Sequence, residues 1–245
     1  MKSEIRAILI HGAASSGRIW MRLLEAMESP EEILTPDIPG MGDAQLPGGA
    51  PLSFEGWLAY FRSLGSGRRV HLVGHSLGGA IAVHLAREPW VASVTLIAPA
   101  TRAYCESRRI ASRSGRDPGS IVFESPLNRL VAWPGRISRE DAEVLREDYA
   151  KAGPLLSRGV PWPPYPMDEA EYLSGKPVLL VYGEEDAVIP TFYFRRLGED
   201  LLAEGVCVTT VCLPGCGHIP QLEEPWALAR VLSSFWAQPG LSGCD

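Results

Sequence analysis

Gly74-His75-Ser76-Leu77-Gly78 lies between an apolar run, Val70 to Val73, and a run of small residues with helical character, Gly79 to Ala86. In a strand, turn, helix context, the G-x-S-x-G spacing lifts a serine hydroxyl clear of a sheet on a sharp turn. A serine so placed is a nucleophile only if a base, an orienting acid and donors for an oxyanion stand around it. The rest of the chain supplies candidates for those parts.

Leu9-Ile10-His11-Gly12-Ala13-Ala14 ends an apolar run in small residues, and a loop this bare lets a backbone N–H come close to a bound carbonyl oxygen. Ala13 is the expected donor there, with the Leu77 amide as its partner after the nucleophile. Pro177 to Tyr182 reads as an apolar strand that breaks at Gly183 into three acids, Glu184, Glu185 and Asp186. Asp186 is favoured as the orienting acid because Ala187-Val188-Ile189-Pro190 follows it and would fix that loop against the body of the fold. Glu184 and Glu185 read as solvated loop charges. Val206 to Leu213 reads as a further strand, and the loop Pro214-Gly215-Cys216-Gly217-His218 after it places His218 as the base. His75 is next to the serine but should point elsewhere, and His71 and His84 read as structural.

The order Ser76, Asp186, His218 is that of the α/β-hydrolase triad, and the chain resembles that family over nearly its whole length. The resemblance is carried by His11-Gly12, Asp37-Ile38-Pro39-Gly40-Met41-Gly42, Gly74 to Gly79, Gly183 to Asp186 and Gly217-His218. Two departures stand out: members of the family usually open with an extra hairpin, whereas here the first expected strand begins almost at Met1, and Asp43 stands where serine is common. The expected mechanism is attack by Ser76, proton transfer through His218 with Asp186 holding the imidazole, and oxyanion stabilisation by Ala13 and Leu77. It needs no metal and no organic cofactor.

The elements that must position these residues alternate along the chain. Strand-like runs at Ile5 to Ile10, Ile33 to Asp37, Arg69 to Val73, Val94 to Ala98, Val178 to Tyr182 and Val206 to Leu213 are separated by helical stretches. Such alternation predicts an α/β fold with a mostly parallel sheet flanked by helices on both faces. Near the C-terminus, Pro225 opens a helix whose Leu228, Leu232, Phe235 and Trp236 form a core stripe.

The alternation fails between Ala100 and Lys176, too long a stretch for a connecting loop. Ser138 followed by Asp141 marks a helix start there, with Val144, Leu145 and Tyr149 at helical spacing. Pro161-Trp162-Pro163-Pro164-Tyr165-Pro166 cannot be regular helix. The resemblance implies a helical cap inserted before the strand that leads to the triad acid, giving a core of residues 1–100 and 177–245 and a cap of 101–176 that selects substrate. Arg108, Arg109, Arg113 and Arg116 fall close together in it, with Arg102 just before, although the chain is acidic. A solvated helix face is the plain reading of this cluster. Its functional reading is a dock for an anionic substrate or an acyl carrier protein.

The chain has 245 residues, 46% of them hydrophobic, which suits one large core, and its net charge of −6 argues against nucleic-acid binding. No apolar run reaches the roughly 18 residues of a membrane span, and the charged start argues against a secretory signal. Cys105, Cys207, Cys212, Cys216 and Cys244 lack zinc-site spacing, so buried thiols in a reducing cytoplasm are expected.

The expected activity is hydrolysis of a small-molecule carboxylic ester through an acyl-enzyme. Thioesterases, esterases that demethylate pimeloyl groups on acyl carrier protein, and carbon–carbon bond hydrolases share the triad and are alternatives. Plant methylesterases and hydroxynitrile lyases are similar from His11 to Trp20, but the lyases carry lysine after the catalytic histidine, where this chain has Ile219. A receptor on a hydrolase fold, binding a small ligand without turnover, is the non-enzymatic alternative. The sequence leaves the oligomeric state open.

Overall fold

The computed structural model describes residues 5–45, 53–113, 129–156 and 168–238. Six strands form one sheet: β1 (Ala7–Ile10), β2 (Ile33–Leu34), β3 (Val70–His75), β4 (Val91–Ile97), β5 (Val178–Gly183) and β6 (Val208–Leu213). Their order is β2-β1-β3-β4-β5-β6, and every neighbouring pair is parallel. The order reverses at β1, so the chain leaves β1 and β3 in opposite directions and a crevice opens beyond their C-terminal ends.

Alternate residues of the strands face opposite sides, as the period of two requires. Ile8, Ile10, Leu72, Leu96 and Leu180 pack on one side with Trp57, Phe61, Ile81 and Phe194. These come from α2 (Phe54–Gly65), α3 (Leu77–Leu85) and, in the last case, the helix Phe192–Ala203, here α7. Leu9, Val73, Ile97, Leu179 and Val181 pack on the other with Leu23 of α1 (Met21–Ala26) and with Leu228, Leu232, Phe235 and Trp236 of the helix Pro225–Trp236, here α9. The sheet is therefore a central layer with helices on both faces, and the C-terminal stripe is core as its spacing predicts.

Strand limits differ from the sequence reading where side chains intervene. β2 stops at Leu34 because Asp37 turns its carboxylate back to accept the Gly17 and Asp43 amides at 2.6 and 2.8 Å. β4 starts earlier, at Val91, with Ser93 and Thr95 both fully buried. β6 is an edge strand with Thr209, Thr210 and Cys212 exposed, so the expectation of buried thiols holds for Cys105 and Cys216 and fails for Cys207 and Cys212. No disulfide links the four described cysteines, and no group of three metal-ligating side chains occurs among the described residues.

Between β4 and β5 the chain forms α4 (Arg102–Arg113), α5 (Arg139–Leu156) and α6 (Glu169–Leu173). Ser138 and Asp141 cap α5 reciprocally: the Asp141 amide donates to Ser138 Oγ at 3.0 Å and the Ser138 amide to Asp141 Oδ2 at 3.3 Å. The proline-rich run Pro161 to Pro166 lies outside the described residues. No described helix is long and apolar enough to cross a membrane.

Candidate active site

β3 delivers Ser76 into the crevice and α3 carries the chain away. Ser76 itself sits at φ 51° and ψ −113°, a sparsely populated conformation for a non-glycine residue. It is held there by its own main chain: its N–H donates to Ile97 O at 3.0 Å and its carbonyl accepts from Gly79 and Ala100 at 3.0 and 2.9 Å. The flanking glycines are sterically required. A Cβ on Gly74 would stand 2.2 Å from Gly78 O, and one on Gly78 would stand 2.2 Å from Ile10 O. The Leu77 amide opens α3, at the end of a helix where N–H groups have no intrahelical partner.

The loop after β1 comes up beside the serine, so that a Cβ on Gly12 would lie 3.2 Å from Ser76 Cβ. His11 fixes this loop. Its Nδ1–H donates to Gly12 O at 2.8 Å and its Nε2 accepts from the Ile38 amide at 2.9 Å. Only the neutral ring can do both, and burial lowers its pKa accordingly. The Gly12 carbonyl and the Ala13 N–H belong to one trans peptide and point in opposite directions. Anchoring the first therefore aims the second away from the His11 ring.

Asp186 and His218 meet as expected. Asp186 Oδ2 accepts from His218 Nδ1 at 2.7 Å, while Oδ1 accepts the Val188 and Ile189 amides at 2.8 and 2.9 Å. Both side chains are buried, whereas Glu184 and Glu185 are exposed. The pairing places the proton on Nδ1 and leaves Nε2 of His218 as the basic nitrogen. His75 is turned inward, its Nε2–H donating to the His218 carbonyl at 2.8 Å, and burial holds its pKa well below the usual value. His71 bonds Ser93 and stacks on Trp236, and His84 bonds Ala80 O, so both are structural.

The segment between β4 and β5 touches all three loops of this site. Tyr104 of α4 reaches Val188 O at 3.4 Å, and Arg129 reaches Ala187 O at 3.1 Å, both on the Asp186 loop. Leu130 O accepts the His218 amide at 2.8 Å, and Arg136 donates to Gly215 O at 2.6 Å. Asp148 of α5, fully buried, accepts from Ser16 Oγ at 2.5 Å and pairs with Arg18 on the loop after β1. Lys151 pairs with Asp43 at 2.6 Å, so the departure at position 43 serves a contact with α5. The sequence reading missed Ser16, Arg18, Asp148 and Glu223. One signal was present: Asp148 falls three residues after Leu145 on the stripe that α5 buries. Of the arginines singled out, Arg108, Arg109 and Arg113 lie on α4, and Arg116 lies outside the described residues.

A model of the alpha/beta hydrolase family matches residues 7–231, and the chain belongs to that family. Among its relatives, the epoxide hydrolase EphH of Mycobacterium tuberculosis is 31% identical over 186 residues, covering 67% of this chain and 85% of that protein. The pimeloyl-[acyl-carrier protein] methyl ester esterase of Aeromonas salmonicida is 32% identical over 248 residues, covering 93% of this chain and 94% of that protein. A thermophilic esterase from Thermogutta terrifontis has a similar solved structure, with TM-score 0.69 and 22% identity over 96% of this chain and 90% of that one.

Proposed function

We propose that this hydrolase cleaves a carboxylic ester through an acyl-enzyme on Ser76. The observation that carries the reading is the buried His218–Asp186 pair, at 2.7 Å, with the His218 carbonyl bonded to His75, the neighbour of a serine held on a strained turn. Ser76 Oγ attacks the carbonyl carbon, and its proton passes to His218 Nε2. The negative charge of Asp186 stabilises the imidazolium, and the Ala13 and Leu77 amides receive the oxyanion. His218 returns the proton to the leaving alkoxide, then takes one from the attacking water and gives it to Ser76 Oγ as the acid is released.

Ester cleavage suits a serine better than the epoxide opening in the name of one relative. An epoxide opened by a serine oxygen leaves an alkyl ether on the enzyme, which water does not readily cleave, whereas an acyl-serine is hydrolysed. We read residues 101–176 as the cap, because its described parts meet all three loops of the site.

A panel of p-nitrophenyl esters of graded chain length tests the reading. Ser76→Ala should lower turnover by several orders of magnitude, leaving the residual rate that oxyanion donors and binding supply. A serine-directed phosphonate should label Ser76 alone. Labelling elsewhere, or an unchanged rate in the variant, would remove the assignment.

A second reading takes an acyl-carrier-protein ester as substrate. It is favoured by arginines 102, 108, 109 and 113 falling on one helix, α4, and by the similarity to the carrier-protein esterases. Arg109→Ala with Arg113→Ala should then weaken salt-dependent binding of an acidic carrier protein and spare a small neutral ester. Equal effects on both substrates would sink it.

A further inference from the structure

Glu223 lies five residues after His218, in a short helix, α8 (Pro220–Glu223), and only 6% of it is exposed. Its Oε1 accepts the amides on either side of the histidine, Gly217 at 2.9 Å and Ile219 at 3.4 Å. Its Oε2 accepts the Ala132 amide, from the cap, at 2.8 Å. Two residues further back in the cap, Leu130 O takes the His218 amide itself. Gly217 is the meeting point. A Cβ there would lie 2.6 Å from Ala132 N, 2.8 Å from Glu223 Oε1 and 2.8 Å from Leu130 O.

A buried carboxylate is costly, and burial pushes the Glu223 carboxyl pKa up against the pull of the three amides and of Arg136. The geometry explains why a neutral residue does not serve as well. N–H donors approach from two sides, and only a carboxylate presents an acceptor to both. Glutamine would satisfy one side and turn an NH2 group toward the N–H of the other.

We infer that Glu223 is a positioning residue for His218, through which the cap sets where the general base stands. This rests on the serine-hydrolase reading. Glu223 touches no reacting atom; it fixes the peptide on both sides of the base and registers that peptide against Leu130 to Ala132. A base displaced by about 1 Å loses on the order of 100-fold in rate without losing its chemistry.

The test compares Glu223→Gln and Ala132→Pro with the wild type, and uses exposed Glu199→Gln as the control. Rates on p-nitrophenyl acetate are expressed per site titrated with a serine-directed phosphonate. In Glu223→Gln, kcat per titrated site should fall roughly 10- to 100-fold at near-constant KM. Ala132→Pro leaves the carboxylate in place but removes the cap's donor, sets a ring carbon against Glu223 Oε2 and restricts the backbone at Val131, and should lower kcat in the same way by at least about 3- to 10-fold. It carries the kinetic test if Glu223→Gln does not fold.

A low-field proton resonance of the His218 Nδ1–H bonded to Asp186 should move or vanish in both variants. That signal is read without any substrate, so it separates a failure of this inference from a failure of the esterase reading, which Ser76→Ala tests. A folded Glu223→Gln with the wild-type rate per site and an unmoved resonance overturns the proposal. So does a loss confined to the number of titratable sites, or a folded Ala132→Pro that behaves as wild type.

Discussion

Replacing Asp148 tests what holds α5 on the loop after β1. Its carboxylate is fully buried, one oxygen accepting from Ser16 Oγ at 2.5 Å and the other paired with Arg18, whose second branch reaches Glu147 at 2.9 Å. Asp148→Asn keeps the shape and one acceptor but removes the charge. A hydrogen bond to a charged group contributes about 1.5–3 kcal/mol, and Arg18, with 34% of its side chain exposed, is partly solvated, so the lower half of that range applies. A loss of about 2 kcal/mol lowers Tm by roughly 4–8 °C in a chain of this length. Asp148→Ala strands the Ser16 hydroxyl as well and should cost about 3–4 kcal/mol.

Thermal unfolding read by circular dichroism gives these values, and amide exchange locates them. Exchange should quicken in α5 and in Ser15 to Arg18 before it does in β3 or β4. The reasoning is refuted if Asp148→Ala melts with the wild type, or if the Asn and Ala variants melt together, since the Ser16 hydroxyl left unpaired in the Ala variant would then cost nothing.

Two further outcomes are expected. Burial raises the Glu169 pKa to about 7 while its Oε1 accepts the Arg102 amide at 2.7 Å, so the folded protein keeps a proton there that the unfolded chain releases near 4.5. The stability this gives is complete below pH 4.5 and is lost as pH rises to about 7, by on the order of 3 kcal/mol. Glu169→Gln should flatten that slope in denaturant titrations across the interval, and a slope identical to wild type would rule the assignment out. Asp186→Asn should lower kcat on an activated ester by on the order of 10³–10⁴, while Glu184→Gln and Glu185→Gln leave it nearly unchanged; a damaging Glu185→Gln would move the acid by one residue.

The parts of the site that could be read from the sequence are those whose constraint is local. Gly74 and Gly78 have backbone oxygens where a side chain would go, so the turn they frame is written in two residues. Asp186 was separable from Glu184 and Glu185 because its own loop supplies the two amides that it accepts. What escaped depends on partners distant in the chain. Ser16 and Asp148 are 132 positions apart, and Ala132 and Glu223 are 91 apart, so neither carboxylate shows in its own neighbourhood which partner it meets. A charged residue on an amphipathic helix reads as solvated unless the facing surface is known. The edges of β2 and β4 were missed for a related reason: Asp37 bends away to serve other amides, and Ser93 and Thr95 look like surface residues on a strand that is buried on both faces.

Among the described residues, only Ala14, Ser76 and Ala98 are non-glycine residues at positive φ, at 57°, 51° and 41°. Each follows the C-terminal end of a strand, β1, β3 or β4, on the rim of the crevice. Such torsions cost about 1–3 kcal/mol each, so the molecule concentrates its conformational strain along the edge where the chemistry is assigned. An effort to harden this protein against heat would find its most tempting substitutions to glycine at these three positions. At Ser76 the gain would cost the hydroxyl proposed as nucleophile, and at Ala14 the rigidity of the loop proposed to hold an oxyanion donor. Heat tolerance and turnover therefore compete at the same few peptide units, and selection for either one alone would pull them apart.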